Sequence, residues 1–480
     1  MLFHSFEYVL FLWGVFVAYW SLTERPRLRH GLLLGASYFF YAQADWRFVS
    51  LLVISSLVDF ACGDKVQEAR DAGKTGRGWL GVSLAVNLGV LGFFKYFDFF
   101  VDGFGQLATR LLPSHFDTAR LHLDVALPVG ISFYTFQTLS YTFDIYRGKM
   151  RPIASRLDFA LYVAFFPQLV AGPIVRAIDF LPQLAAKPVL ENRRISSGLF
   201  QILRGLCKKL LIADLLGAHL VDPVFLDSGT LASAGAPLLL LATWAYALQL
   251  YGDFAGYSDI AIGSARLLGF ELPKNFNAPY KSRNLEEFWS RWHISMSSWF
   301  MDYVYIGLGG SRVSFPRYAR NVLVAWGLVG LWHGAAFTFV LWGLYHGLLL
   351  IALRGFRRLF LGGGELPDRP ALRVLSGLAT FHAVAFSMIL FRTPDLASFS
   401  AALSGFTHLG AGWPSLSLPL AALLILGYLT HLMPDTWQSA LERGFERIPG
   451  LVQGVLLAAA IAFLFALHPP GLAPFIYFQF

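Results

Sequence analysis

The chain has 480 residues; 56% are hydrophobic, 16% aromatic and only 14% Asp, Glu, Lys or Arg, with a net charge of +8. Soluble domains carry about 25% charged residues, so the chain lacks the polar side chains to cover the several soluble domains its length would otherwise imply. Together with a mean hydropathy of +0.55, this excludes a soluble protein, a disordered chain and a nucleic-acid binder, and leaves an all-α polytopic protein solvated by the lipid bilayer.

A crossing helix needs about 20 mainly apolar residues. In chain order, uncharged runs fall at 8–23, 31–44, 78–94, 125–143, 159–175, 228–252, 321–353, 374–391, 396–434 and 448–480. Weaker candidates are 48–62, interrupted by Asp59, and 195–221, interrupted by Arg204, Lys208 and Lys209. The 33-residue run 321–353 is too long for one upright helix and predicts two segments joined inside or near the membrane. The run 159–175 contains FFPQLVAGPIV, whose two Pro and one Gly predict a re-entrant element, because irregular backbone at membrane depth needs protein or a water-filled cavity to cover it. The expected total is ten to twelve crossings plus re-entrant pieces. The first run has no Lys or Arg before it and no small-residue cleavage pattern after it, so it reads as a retained span.

The loops 24–30, 63–78, 147–156 and 354–373 are rich in Lys and Arg, whereas 222–235 and 393–418 have neither. Basic loops face the cytoplasm, which puts the N-terminus outside. Cys62 and Cys207 are the two cysteines; they exclude a disulfide framework and a Cys-rich metal site. Among ligand spacings and nucleophile motifs, no H-E-x-x-H, G-x-S-x-G or Walker pattern occurs, so no metal and no permanently bound cofactor is expected.

Polar groups within apolar runs are expensive and mark functional candidates. LPVGISFYTFQTLSYTFDIYRG (127–148) carries Ser132, Tyr134, Gln137, Ser140, Tyr141 and Asp144 after a Pro–Gly break, a polar lining suited to a channel or tunnel wall. QLYGDFAGYSDIAIG (249–263) places Asp253 and Asp259 six apart, with Tyr257 and Ser258 between them. Six residues do not share a helical face, so a carboxylate dyad is excluded. A proton or cation path, a helix cap and a pair with a cytoplasmic Arg all fit. The stretch 271–312 mixes Trp292, Trp299 and other aromatics with Lys274, Lys281, Arg283, Arg291, Arg312 and His293. It reads as amphipathic helices at the cytoplasmic interface, either a plain anchor or a mouth admitting an anionic acyl donor. His333 sits in the charge-free run 321–353, between Trp332 and Gly334, with Ala335 and Ala336 following. These small residues are expected to leave room for a substrate beside a neutral imidazole. Such an imidazole suits general-base work; a core histidine bonded between helices is the plainer reading. For His346, nearer the expected membrane edge, the plainer reading is preferred.

Together these segments, with FFPQLVAGPIVR, NFNAPYKSRNLEEFWSRWHISMSSWFMDYVYIGLGGSR, GLWHGAAFTFVLWGLYHG and the terminal PFIYFQF, resemble the membrane-bound O-acyltransferase family in its bacterial polysaccharide O-acetylation branch, the alginate type. The resemblance runs from about residue 79 to the C-terminus. It implies a ring of tilted helices around a central tunnel, within a single acyltransferase domain over 1–480: N-terminal helices 1–120, a catalytic core 121–353 and C-terminal helices 354–480. It implies that His333 is the catalytic histidine and His293 the second signature residue, on the cytoplasmic side. Donor contacts are then expected from Lys281, Arg283, Arg291, Trp292 and Trp299, and tunnel lining from Tyr134, Gln137, Asp253, Tyr257, Ser258 and Trp332. Met301 departs from the pattern, in which this position is often Arg.

The implied reaction takes an acetyl group from cytoplasmic acetyl-CoA to an acceptor outside a bacterial inner membrane. His333 would act as base, and His293 or a Trp N–H would steady the oxyanion. The implied acceptor is a periplasmic or membrane-anchored partner with a Ser nucleophile, which passes the group to a polysaccharide. Competing readings are D-alanyl transfer to a cell-wall polymer, lipid O-acylation, and a secondary transporter using Asp253 and Asp259.

Overall fold

A computed structural model describes residues 1–111, 121–123, 126–170, 172–410, 412–467 and 475–476. Among them the chain is helical, with no strand. It forms two compact units. The first comprises 1–2, 6–190 and 268–272; the second comprises 3–5, 191–267 and 273–480.

In the first unit, three helices share a buried polar knot. The helix Val49–Asp71 runs unbroken through Asp59, the residue that weakened the run 48–62. Asp59 is fully buried and accepts hydrogen bonds from Ser83, from Asn87 Nδ2 at 2.6 Å and from Thr142 Oγ1 at 2.9 Å. Ser83 and Asn87 lie on Arg77–Leu91 and Thr142 on Ile131–Tyr146. A buried carboxylate is tolerable when donors from its neighbours satisfy it, which a local hydropathy reading does not register. The run 159–175 is indeed not one helix. Arg156–Ala164 stops at Phe165, and a four-residue turn, Phe166–Leu169, follows.

The second unit is organised around the 32-residue helix Ala236–Leu267. The helix Asn192–Leu206 lies against it at backbone contact distance. A Cβ on Gly205 would come within 2.6 Å of the Gly256 carbonyl, and one on Gly256 within 2.8 Å of the Gly205 carbonyl. The same reciprocal contact recurs seven residues away on each helix, where Gly198 faces Gly263. Small residues let helix backbones meet where packing, rather than apolar burial, must drive association in lipid. The run 321–353 divides as expected: Phe315–His333 and Phe337–Phe360 are separated by Gly334, Ala335 and Ala336.

By length and apolar composition, five described segments can cross a membrane: Pro26–Asp71, Arg77–Gly105, Phe337–Phe360, Pro370–Arg392 and Gly450–Leu467. A sixth arises if Leu418–Leu432 and Asp435–Glu446, bent by 95°, count as one. This is fewer than the ten to twelve expected crossings. The length criterion leaves out shorter apolar helices, such as Phe6–Ser21 and Leu396–Gly405, and counts the 46-residue segment Pro26–Asp71 once. Ala236–Leu267 is long enough but dilutes its apolar residues with Gln249, Asp253 and Asp259.

Candidate active site

His333 is the last residue of Phe315–His333 and is 2% exposed. Aromatic rings surround it: Trp332 at 4.9 Å between centroids, Trp342 at 4.9 Å and Phe391 at 5.2 Å, each edge-on. Gly334 leaves no room for a substrate at its own Cα, contrary to the expectation from its size. A Cβ there would overlap the Phe339 ring. Gly334 therefore lets the ring close the cage and the chain turn between two tightly packed helices.

The open space lies on another side of His333. A narrow space, no larger than about one water molecule, is lined by His333, His346, Trp289, Trp292, Trp342 and Phe391, among others. Nothing in the order of residues marks His346, thirteen positions on, as a neighbour of His333. The helix Phe337–Phe360 brings it back to the same cavity, with Trp342 between the two histidines at 4.9 and 4.8 Å.

His293 is fully buried. It precedes the short helix Ile294–Phe300 with a left-handed backbone, φ 42° and ψ 55°, an uncommon conformation for a residue with a Cβ. Asn275 holds it there. Asn275 Oδ1 accepts from His293 Nδ1 at 3.0 Å and from Ser295 Oγ at 2.9 Å, while its Nδ2 donates to Ser258 Oγ at 3.1 Å. That network assigns the imidazole proton to Nδ1 and directs the Nε2 lone pair away from Asn275. Such a ring suits accepting a hydrogen bond at Nε2 rather than donating one to an oxyanion. Burial pushes its pKa down to about 3, so it is neutral near pH 7. Phe254 packs on it at 4.6 Å and Trp332 at 5.8 Å. Trp332 thus touches both His293 and His333. No sequence signal marked Asn275, since its role depends on contacts with residues 17 to 20 positions away.

Asp253 and Asp259 are structural ion-pair members. Lys209 Nζ sits 2.5 Å from Asp253 and 2.8 Å from Asp214, all three buried. Asp253 also accepts from the Ile476 backbone N–H at 2.8 Å. Asp259 receives Arg204 at 2.6 Å, Lys208 at 2.7 Å and Gln201 at 3.1 Å. The charges that interrupted the run 195–221 are therefore the partners of the carboxylates on Ala236–Leu267. Tyr257 OH meets His4 Nδ1 at 2.9 Å.

The expected donor contacts divide. Trp292 lines the His333 cavity, whereas Trp299 packs on Phe300 and Tyr303. Lys281 donates to the Met433 carbonyl at 2.7 Å, and Arg291 pairs with Glu287 at 2.9 Å. Arg283 lines a second cavity of about 550 Å³ with Arg357, Arg373, Asn284 and Phe356. There Arg283 and Arg373 share Asp368, at 3.3 and 2.8 Å. Met301, where a basic residue is often expected, is exposed. Tyr134 and Gln137 lie buried in the first unit. Of the terminal PFIYFQF, only Phe475 and Ile476 fall within the described residues.

A profile of the membrane-bound O-acyltransferase family matches residues 150–361, the stretch that holds both histidines. The chain is 34% identical to the probable alginate O-acetylase of Pseudomonas putida over all of both chains. This chain is a membrane-bound O-acyltransferase. It is also 36% identical to the peptidoglycan O-acetyltransferase of Helicobacter pylori, over 82% of this chain and 77% of that one. The teichoic acid D-alanyltransferase of Bacillus subtilis is 28% identical over 55% of this chain and 68% of that one.

Proposed function

We propose that this O-acyltransferase moves acetyl groups across a bacterial inner membrane for the O-acetylation of a polysaccharide. The donor is a cytoplasmic acyl thioester, acetyl-CoA in the first instance, and the group reaches the outer face through a tunnel within a single acyltransferase domain. The acceptor there is a periplasmic or membrane-anchored partner with a Ser nucleophile, which hands the acetyl group to the polymer. The N-terminus lies on the periplasmic side. The observation that carries the reading is the placement of His333, an imidazole caged by aromatic rings and opening on a small cavity. Support also comes from the two relatives named for polysaccharide O-acetylation. Arg283, Arg357 and Arg373 line a second cleft together with Glu365 and Asp368, and donor phosphates there would have to displace those carboxylates from the arginines.

In the reaction, His333 takes the proton from the acceptor hydroxyl as the oxygen attacks the thioester carbonyl. The tetrahedral intermediate collapses with rupture of the C–S bond, and the imidazolium returns its proton to the departing thiolate. Water exclusion by the cage strengthens every polar interaction within it and suppresses hydrolysis of the thioester. His293, neutral and held by Asn275, orients the cytoplasmic side of the site; a Trp N–H is the better oxyanion donor.

Labelled acetyl-CoA supplied to the cytoplasmic face of vesicles tests this reading. Label should pass to the partner protein or polymer on the other face with the wild-type chain and not with His333→Ala. Equal labelling by the variant overturns it. The transporter reading is disfavoured because Asp253 and Asp259 already face fixed cations. Proton-coupled uptake that needs Asp253 and survives loss of His333 would restore it.

A further inference from the structure

One buried amide sets the state of His293. Asn275 is fully buried, and the two ends of its amide are told apart by a donor that cannot change roles. The backbone N–H of Ser295 donates to Asn275 Oδ1 at 3.3 Å, so the atom placed there is the oxygen. His293 Nδ1 and Ser295 Oγ donate to the same oxygen, at 3.0 and 2.9 Å. The amide nitrogen donates to Ser258 Oγ at 3.1 Å, on Ala236–Leu267, and the Asn275 backbone carbonyl accepts from the Ile294 N–H at 2.9 Å. One residue thus ties the long helix of the second unit to the left-handed turn at His293.

These bonds explain an acceptor at position 275 but not an amide. An aspartate has nearly the same size and accepts the same three bonds. The Ser258 hydroxyl could turn and donate to it. The two side chains differ in charge. A carboxylate at the 3.0 Å that separates Asn275 from Nδ1 would stabilise the imidazolium, which has no lone pair at Nε2. The amide leaves the ring uncharged. The surroundings agree with that choice: Phe254, Phe276 and Trp332 pack on the ring. The charged groups on the elements around it are engaged elsewhere. Asp253 pairs with Lys209, and Asp259 with Arg204 and Lys208. Arg291 pairs with Glu287 and Lys274 donates to Asn277, while Glu271 is exposed. His333 is the titratable group on the far side of Trp332.

We propose that Asn275 is a positioning residue for acyl transfer: its amide fixes His293 as a hydrogen-bond acceptor at Nε2, and transfer requires that acceptor. The inference rests on the reading that His293 belongs to the site. It adds the residue that sets the state of His293 and the reason an amide stands there.

The test compares Asn275→Asp with the wild-type chain in the vesicle labelling assay, as the ratio of the two rates at each pH from 8 to 6. The carboxylate raises the affinity of His293 for a proton, so the ratio should fall about 10-fold as the pH is lowered across that range. A purely structural defect would lower the ratio equally at every pH. Such a constant deficit, or an unchanged profile in folded Asn275→Asp, overturns the proposal. A measurement on the wild-type chain stands beside it, whether or not that variant folds. In ¹⁵N spectra of histidine-labelled protein, the resonances lost in His293→Asn should report a neutral ring protonated at Nδ1 from pH 8 to pH 5. A ring protonated at Nε2 in that range overturns the proposal. Transfer at the wild-type rate by folded His293→Asn removes His293 from the site and overturns the underlying reading. Loss of transfer in His293→Asn with an unshifted Asn275→Asp profile overturns this inference alone.

Discussion

The Lys209 cluster and the His333 cavity both put polar groups into apolar surroundings, and they do so with opposite chemistry. The cluster uses full charges: Lys209 is shared by Asp214 and Asp253, with Asp259 held nearby along the same helix by Arg204 and Lys208. Desolvation of such ions is expensive and their mutual attraction offsets it only when the geometry is close. The cavity uses neutral rings instead. His333 and His346 carry one donor and one acceptor each and the tryptophans around them one donor each, on largely apolar bodies, so they tolerate burial without ion partners. Charges that are satisfied internally hold helices in register. Neutral polar rings line a cavity without needing an ion partner. The contrast separates an ion-paired scaffold from an aromatic cavity wall within one unit of the protein.

The sharpest way to break the comparison is His333→Ala. Loss of a general base typically costs about 10²- to 10⁴-fold in rate; acetyl transfer by the purified variant should fall by that much while its melting curve stays close to wild type. Lys209→Met should do the reverse. It strands two buried carboxylates and should destabilise the fold by roughly 3–5 kcal/mol, read as a lower unfolding midpoint in detergent. Activity per folded molecule should change little. A Lys209→Met variant that melts normally but transfers nothing would move the cluster into the chemistry.

Gly334→Ala tests the cage itself. The added methyl overlaps the Phe339 ring, and overpacking of this kind costs roughly 1–3 kcal/mol. Pairing it with Phe339→Leu should recover stability, measured by the same melts, and should leave a leakier cage with faster thioester hydrolysis. The smallest effect concerns His293. Its folded-state pKa, about 3, lies below the ordinary 6.5, so the unfolded chain takes up the proton first. The associated stability is intact above about pH 6.5 and is lost as pH falls toward 3. Between pH 7 and pH 5 the loss should be about 2 kcal/mol. His293→Asn, which keeps a residue type tolerant of the left-handed backbone, should flatten that dependence; an unchanged slope would mean that His293 is not the buried group that titrates.

Much of the fold class was legible because hydropathy is a local property: the scarcity of charge required a membrane, and the run 321–353 was too long for one helix and divided at Gly334 as expected. His333 was legible because a histidine in a charge-free run stands out. Its neighbour His346 did not stand out, because its place on the same cavity wall depends on how Phe337–Phe360 packs back against Phe315–His333. The run 48–62 was undervalued for the same reason, since Asp59 is satisfied by donors on two other helices. Gly334 was read in the right place for the wrong cause: small size predicted open space, and Phe339 fills it.

By itself, then, the sequence determined that the chain is a helical membrane protein, pointed to its acyltransferase family and marked the two signature histidines, because composition, periodicity and motif are carried by neighbouring residues. Only the tertiary structure decided which polar groups are scaffold and which face the cavity. Whether a buried donor or acceptor is satisfied depends on atoms brought together from distant parts of the chain, and residue order does not record that pairing.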